Sequence, residues 1–131
     1  MIRRKYVVLT PEECVRQHLI HYLVNQLNYP AGLMKIEKQI KVNNLKRRPD
    51  VVVFNHLALP VLIAECKAPD VKVTQDTFDQ AARYNRTLQV NLFVLTNGFN
   101  TYCCTFNSDE RNYRFLEEVP DYNSLKNLTA L

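Results

Sequence analysis

Arg48-Pro49-Asp50 opens one apolar run, and after fourteen intervening residues a second apolar run closes on Glu65-Cys66-Lys67. Two carboxylates and a lysine are a set that can act on a phosphodiester. That reaction needs an activated water and neutralisation of charge on the phosphate, and a divalent cation held by carboxylates with open positions supplies both. Mg2+ is the expected ion, with Mn2+ as its substitute, because it takes oxygen ligands and keeps several waters. Asp50 and Glu65 are the expected ligands. The backbone carbonyl of Cys66 adds a third oxygen, while its side chain alternates into the core. Lys67 is expected to orient the attacking water or to stabilise charge developing on the phosphate.

Whether these residues meet depends on the elements that carry them. Val51 to Phe54 and Val61 to Ala64 are β-branched or apolar enough to be buried strands, and turn residues bracket the connector Asn55 to Pro60. A symmetric hairpin centred on Leu57 and Ala58 pairs residues whose numbers sum to 115, as those of Asp50 and Glu65 do. The two carboxylates then stand opposite each other, about 5 Å apart at Cβ. Lys67 joins them on the same face by period-two alternation. Away from the acids both faces of these strands are apolar, which predicts a central position covered on both sides.

The surrounding chain supplies helices and further strands. Thr10, Pro11 and Glu13 form the start signal of a helix reaching about Asn28, with Val15, Leu19, Ile20, Leu23, Val24 and Leu27 inward. Glu13, Arg16 and Gln17 share another side of it. Leu33 to Val42 alternates as one strand, broken on its apolar face by Lys38, and Asn43-Asn44 marks a tight turn. A second helix starts near Thr74 and runs to about Leu88, with Phe78, Ala81 and Ala82 inward and Gln80 and Tyr84 one turn apart. Asn91 to Thr96 reads as a buried strand, parallel to the 61–67 strand because of the helical crossover. Asn97-Gly98 is the strongest hairpin-turn signal, Phe99 to Phe106 the returning strand, and Tyr113 to Val119 a last edge strand. The tail from Pro120 predicts at most one helical turn. The fold class is therefore α/β, a mixed central sheet flanked by helices.

Composition bounds the rest. The 131 residues, nearly half of them hydrophobic, suit one globular domain over 1–131. Residues 1–50 carry ten Lys and Arg against four acids, and residues 51–131 seven against nine. Lys46, Arg47 and Arg48 run straight into Asp50, and basic residues beside an acidic site suit a polyanionic substrate. Cys14, Cys66, Cys103 and Cys104 lack zinc-site spacing, and the histidines, His18, His21 and His56, are scattered. Free thiols without a signal peptide or a membrane-length apolar run predict a cytoplasmic protein with no membrane association.

At this point a resemblance becomes specific. Pro49-Asp50 … Glu65-Cys66-Lys67 resembles the PD-(D/E)xK nuclease signature. Gln80-Ala81-Ala82-Arg83-Tyr84 is similar to the Gln-x-x-x-Tyr element of the recombination-exonuclease branch of that superfamily. Glu13-x-x-Arg16 is similar to the acidic helix that opens the same fold. With Ile63 to Pro69 and Leu95-Thr96-Asn97-Gly98 added, residues 6–119 look most like the N-terminal nuclease domain of type I restriction enzyme R (HsdR) subunits. The resemblance implies a restriction-endonuclease-like three-layer fold and a Mg2+-dependent endodeoxyribonuclease.

It also assigns roles. Asp50, Glu65, Lys67, Gln80 and Glu13 become catalytic residues, and Glu13, rather than its rival Glu12, a further metal ligand. Glu13 can serve the helix cap as well, and Tyr84 can pack in the core. Arg16, Lys46, Arg47, Arg48 and Tyr84 are expected to face DNA. The restriction subunits continue into a helicase-like motor, whereas this chain stops after one domain. ATP-driven translocation is therefore not expected of it, and target recognition is expected from elsewhere. The expected partners are DNA and either a second copy, a homodimer being a route to double-strand cuts, or other restriction or repair subunits. The competing expectation is a nuclease-fold DNA-binding or interaction module with little activity.

Overall fold

The computed structural model describes residues 10–37, 40–42, 45–47, 49–85, 90–106 and 113–129. Thr10 starts the first helix as its position before Pro11 predicts. Its Oγ1 accepts the Glu13 N–H at 3.1 Å, while Pro11 fills the first helical position. Helix α1 spans Pro11–His21, and a π turn over Tyr22–Gln26 prolongs it. The Tyr29 N–H then closes on the Leu23 carbonyl at 2.9 Å, with Asn28 in the left-handed region at φ 62°. Asn tolerates that conformation, and the bond satisfies a carbonyl the helix end would orphan.

The stretch read as one strand over Leu33–Val42 is two. β1 (Met34–Ile36) lies in the main sheet, and at Glu37 the backbone turns left-handed, φ 52°. β2 (Ile40–Val42) pairs antiparallel with β3 (Leu45–Arg47) in a separate ribbon. Period-two alternation survives the bend, so the hydropathy pattern conceals it. Lys38 was the one sequence sign of the break. It lies outside the described residues, as do Asn43 and Asn44, although the pairing of Val42 with Leu45 leaves a two-residue connection there.

The main sheet has the order β1-β4-β5-β6-β7-β8, with β4 at Val51–Phe54, β5 at Pro60–Cys66, β6 at Leu92–Thr96, β7 at Thr101–Phe106 and β8 at Tyr113–Leu116. Among the described strands only β5 and β6 are parallel, joined through helix α2 (Gln75–Asn85). The β4–β5 register is the one the sequence predicts: Val51 faces Ala64, Val52 faces Ile63 and Val53 faces Leu62, each pair summing to 115. The expected symmetry fails only near the turn, where a bulge puts Phe54 opposite Pro60. Since the bulge lies at the far end of the strands, the register at the acids is untouched.

Alternation along these strands feeds two cores. Val51, Val53, Leu62, Ala64, Cys66 and Val94 pack under α1 with Val15, Leu19 and Leu23. Val52, Ile63, Phe93 and Leu95 pack on the other face against Phe78 and Ala82 of α2. Phe78 stacks on Phe93 at 5.6 Å between ring centroids. Thr74 caps α2 by accepting the Thr77 N–H, and Val73 and Phe78 are both buried, as the staple signal predicts.

Two connections differ from expectation. Thr96 pairs with Thr101, so Asn97-Gly98 begins a four-residue loop and β7 starts at Thr101 instead of Phe99. Asn97 Oδ1 accepts the N–H groups of Phe99 and Asn100, an Asx-type turn, and Gly98 supplies the positive φ of 94°. The tail is more ordered than one turn. Asp121 caps helix α3 (Tyr122–Thr129) by accepting the Ser124 N–H at 2.7 Å, and bonds from Ser124 hold the Asp121 pKa low. Tyr29 donates to the Pro120 carbonyl, the Tyr122 N–H donates to the Leu27 carbonyl, and Leu125 is buried in the α1-side core. No helix among the described residues is long and apolar enough to cross a membrane.

Two measurements check this packing. Leu125→Ala is expected to lower unfolding free energy in urea by about 2–4 kcal/mol, because a core side chain is removed. A cost near zero would show that α3 does not contribute to the core. The thiols give the second. Burial pushes Cys66 up to about 12, aided by the negative charge of Asp50, and burial raises Cys103 to about 11 and Cys104 to about 12. These three are expected to resist alkylation at pH 8 in the native protein, while half-buried Cys14 reacts first and all four react in denaturant. The native state also keeps these thiol protons at a pH where the unfolded chain, near 9, has released them. Unfolding then releases protons, so the melting temperature should fall as pH rises from 9 towards 11, and a flat profile would contradict the burial.

Candidate functional site

Glu13, Arg16 and Gln17 lie on one side of α1 because residues three and four apart share a helical face. Arg16 and Gln17 both donate to Glu13, Gln17 at 2.9 Å and Arg16 through Nη2. Arg16 then reaches beyond its own helix. Its Nη1 donates to Asp50 Oδ1 at 3.0 Å, and its Nη2 pairs with Glu37 Oε1 at 2.7 Å. One guanidinium thus gathers carboxylates from α1, from the bend after β1 and from the head of β4. Arg16 is 7% exposed and Glu13 5% exposed, so both charges lie out of bulk water. Burial works against the Arg16 charge, but the hydrogen bond to Glu13 and the fields of Glu13, Glu37 and Asp50 outweigh it and raise its pKa. Among the described residues Arg16 Nε is buried with no hydrogen-bond partner.

Asp50 is held from two sides. Its Oδ1 takes Arg16, and its Oδ2 accepts the Cys66 N–H at 2.8 Å. Its backbone carbonyl accepts the Glu37 N–H at 3.0 Å. The Cys66 bond links the head of β4 to the tail of β5, as the register requires, because Val51 facing Ala64 leaves Asp50 beside Glu65 and Cys66. Glu65 is half-buried and pairs across to Leu95 of β6, and half-buried Lys67 follows with its N–H on the Thr96 carbonyl at 2.8 Å. The Cys66 side chain points into the α1-side core, as alternation predicts.

The structure therefore links Glu13 to Asp50 through Arg16 and Asp50 directly to the backbone of Cys66, with Glu65 and Lys67 at the same strand end. Glu12 is exposed, while Glu13 is buried in the cluster. Other expected residues stand elsewhere. Arg16, expected to face DNA, is buried and committed to carboxylates. Gln80 is exposed on α2, and Tyr84 lies one turn further along that helix. Lys46 and Arg47 belong to β3 of the two-stranded ribbon, and Arg48 lies outside the described residues. Glu37 was not foreseen: in the sequence it is one polar residue of an alternating run, and only the left-handed bend carries it to Arg16.

Chemically these groups suit a hard cation. Carboxylate oxygens are what Mg2+ and Mn2+ prefer, and the guanidinium shows that positive charge is accommodated among Glu13, Glu37 and Asp50. Among the described residues no three His, Cys, Asp or Glu side chains sit close enough to share one ion.

Comparisons with known proteins place the fold and the family. A fragment of a candidate HsdR subunit of a type I restriction enzyme from Vibrio vulnificus superposes over 95% of the chain, with a TM-score of 0.61 at 15% identity. The chain spans 26% of that fragment's length. A candidate nuclease of the DUF820 group from Anabaena variabilis superposes over 98% of the chain and 85% of its own, with a TM-score of 0.56 at 12% identity. The DrdV protein in its complex with DNA matches over 91% of the chain and 12% of its own, with a TM-score of 0.52 at 14% identity. At such identities the likeness establishes the fold, a restriction-endonuclease-like mixed sheet between helices. No functionally curated sequence is similar enough to count as a match. The model of one sequence family, however, matches residues 11–120, nearly the whole chain. The chain belongs to the family described as the type I restriction enzyme R protein N terminus (HSDR_N).

Proposed function

We propose that this chain is a metal-dependent deoxyribonuclease domain that hydrolyses DNA phosphodiester bonds. The observation that carries the reading is the β4–β5 register, which sets Asp50 beside Glu65 and Cys66 at one strand end with Lys67 following, in a chain of the HSDR_N family. The DNA complex formed by DrdV, which shares the fold, supports DNA as the polyanion.

In this reading Asp50, Glu65 and Glu13 would hold Mg2+ or Mn2+, with the Cys66 carbonyl as a backbone ligand, once Arg16 gives up Glu13 and Asp50 and the three acids draw together. The ion, when bound, supplies Lewis acidity towards the phosphate and lowers the pKa of water. Lys67 places an ammonium at the strand end, where it orients the attacking water and offsets negative charge on the phosphate. Gln80, exposed on α2, would contact substrate rather than the buried acids. Lys46, Arg47 and Arg48 lie just before Asp50 in sequence and can follow the DNA backbone, with Tyr84 as a further contact. A single site cuts one strand, so a homodimer, or assembly with other restriction or repair subunits in the cytoplasm, would provide the second cut.

A second reading has its own support. With Arg16 on Asp50 and Glu13, and no three ligands close together among the described residues, the domain can serve as a nuclease-fold DNA-binding module with little activity.

Plasmid DNA incubated with the purified chain separates the two. The nuclease reading expects nicking with Mg2+ or Mn2+ that EDTA abolishes. Lys67→Ala should reduce the rate by about a hundredfold or more, with melting temperature and DNA affinity nearly unchanged. DNA binding without cleavage by the wild-type chain, or equal cleavage by Lys67→Ala, would favour the second reading.

A further inference from the structure

Both oxygens of Asp50 are already engaged by protein donors, and the two donors differ in kind. The Cys66 N–H is backbone at the end of β5 and cannot leave without opening the strand end. The Arg16 guanidinium is a side chain with two other carboxylates within reach. A divalent cation bound to Asp50 and Glu13 would lie a few ångströms from that guanidinium in a partly buried site, where like charges repel strongly. The two cations therefore compete for the same oxygens. Arg16 has somewhere else to go. Glu37 is the most exposed of its three partners, 36% at the side chain against 19% for Asp50 and 6% for Glu13. It is also fixed in place: its left-handed backbone, costly for a residue with a Cβ, is tied through its own N–H to the Asp50 carbonyl.

We propose that Arg16 and a divalent cation are alternative counter-ions of Glu13 and Asp50, and that Glu37 is the carboxylate that retains the guanidinium when the metal binds. The inference rests on the reading above in taking Glu13 and Asp50 as metal ligands. It adds two positioning residues, Arg16 and Glu37, that set how tightly the site takes its ion. Arg16 then serves the apo protein: it keeps two buried carboxylates compensated, where an unpaired buried charge would be strongly destabilising.

Mn2+ binding, followed by the loss of the free-ion electron paramagnetic resonance signal, tests this without any catalytic readout. Arg16→Met removes the competing charge and keeps much of the stem. It should bind Mn2+ about tenfold or more tightly than wild type, the size of coupling expected between touching groups. Its melting temperature should fall in EDTA and recover more on adding Mn2+ than that of wild type. Glu37→Gln should weaken Mn2+ binding several-fold, and that effect should vanish in the Arg16→Met background. An effect of Glu37→Gln that persists without Arg16 is a simple field effect and overturns the role given to Glu37. Should Arg16→Met not fold, Arg16→Lys, which loses the forked contact, should still bind Mn2+ more tightly than wild type. Equal or weaker binding by the folded Arg16 variants overturns the competition while leaving the metal reading intact. Absence of Mn2+ binding by every variant overturns both.

Discussion

The pairing of β4 with β5 is the constraint on which the rest depends. Val51, Val52 and Val53 are fully buried against Ala64, Ile63 and Leu62, with a different core on each face. A one-residue slip would send every one of these side chains to the wrong core. The register is therefore fixed by packing on both sides, and the polar residues at the strand ends inherit it. Asp50 meets the Cys66 N–H because Val51 meets Ala64. The bulge near Phe54 absorbs the mismatch of the connector at the far end, where no candidate residue stands.

Arg16 is the complementary element. Packing brings α1 over β4 and β5, but a helix carrying Glu13 against a strand carrying Asp50 would bring two negative charges together. The guanidinium resolves that conflict and adds Glu37 to the same cluster. Charge compensation and site assembly are thus one event. The apo fold is held partly by groups that the proposed chemistry needs, and stability and metal affinity should be coupled through them.

Much of this was legible in the sequence, for identifiable reasons. The apolar runs at 51–54 and 61–64, with turn residues between, specify both the register and its central place in the sheet. Thr10, Pro11 and Thr74 set helix starts because caps act locally. The crossover through α2 dictated the parallel pairing of β5 with β6. What was not legible is non-local or hidden by alternation. The bend at Glu37 preserves period two, so Leu33 to Val42 reads as a single strand. The Arg16–Glu13 pair is written in helical spacing, but the reach of Arg16 to Asp50 and Glu37 depends on how α1 docks. Helix α3 has a short, polar sequence and owes its place to contacts with Tyr29, Leu27 and the α1-side core. Asn97-Gly98 does turn the chain, but Asn97 Oδ1 collects two N–H groups and builds a longer loop than the dipeptide implies.

The central claim is that the strand end carrying Asp50, Glu65 and Lys67 is a metal-dependent site. A crystal structure grown with Mn2+, its position fixed by anomalous scattering, tests it most directly. The account predicts an anomalous peak with oxygens of Asp50 and Glu65 at about 2.1 Å, and with the Arg16 guanidinium withdrawn from Asp50 towards Glu37. Mn2+ bound only elsewhere, or an Arg16–Asp50 contact unchanged at saturating Mn2+, would contradict it.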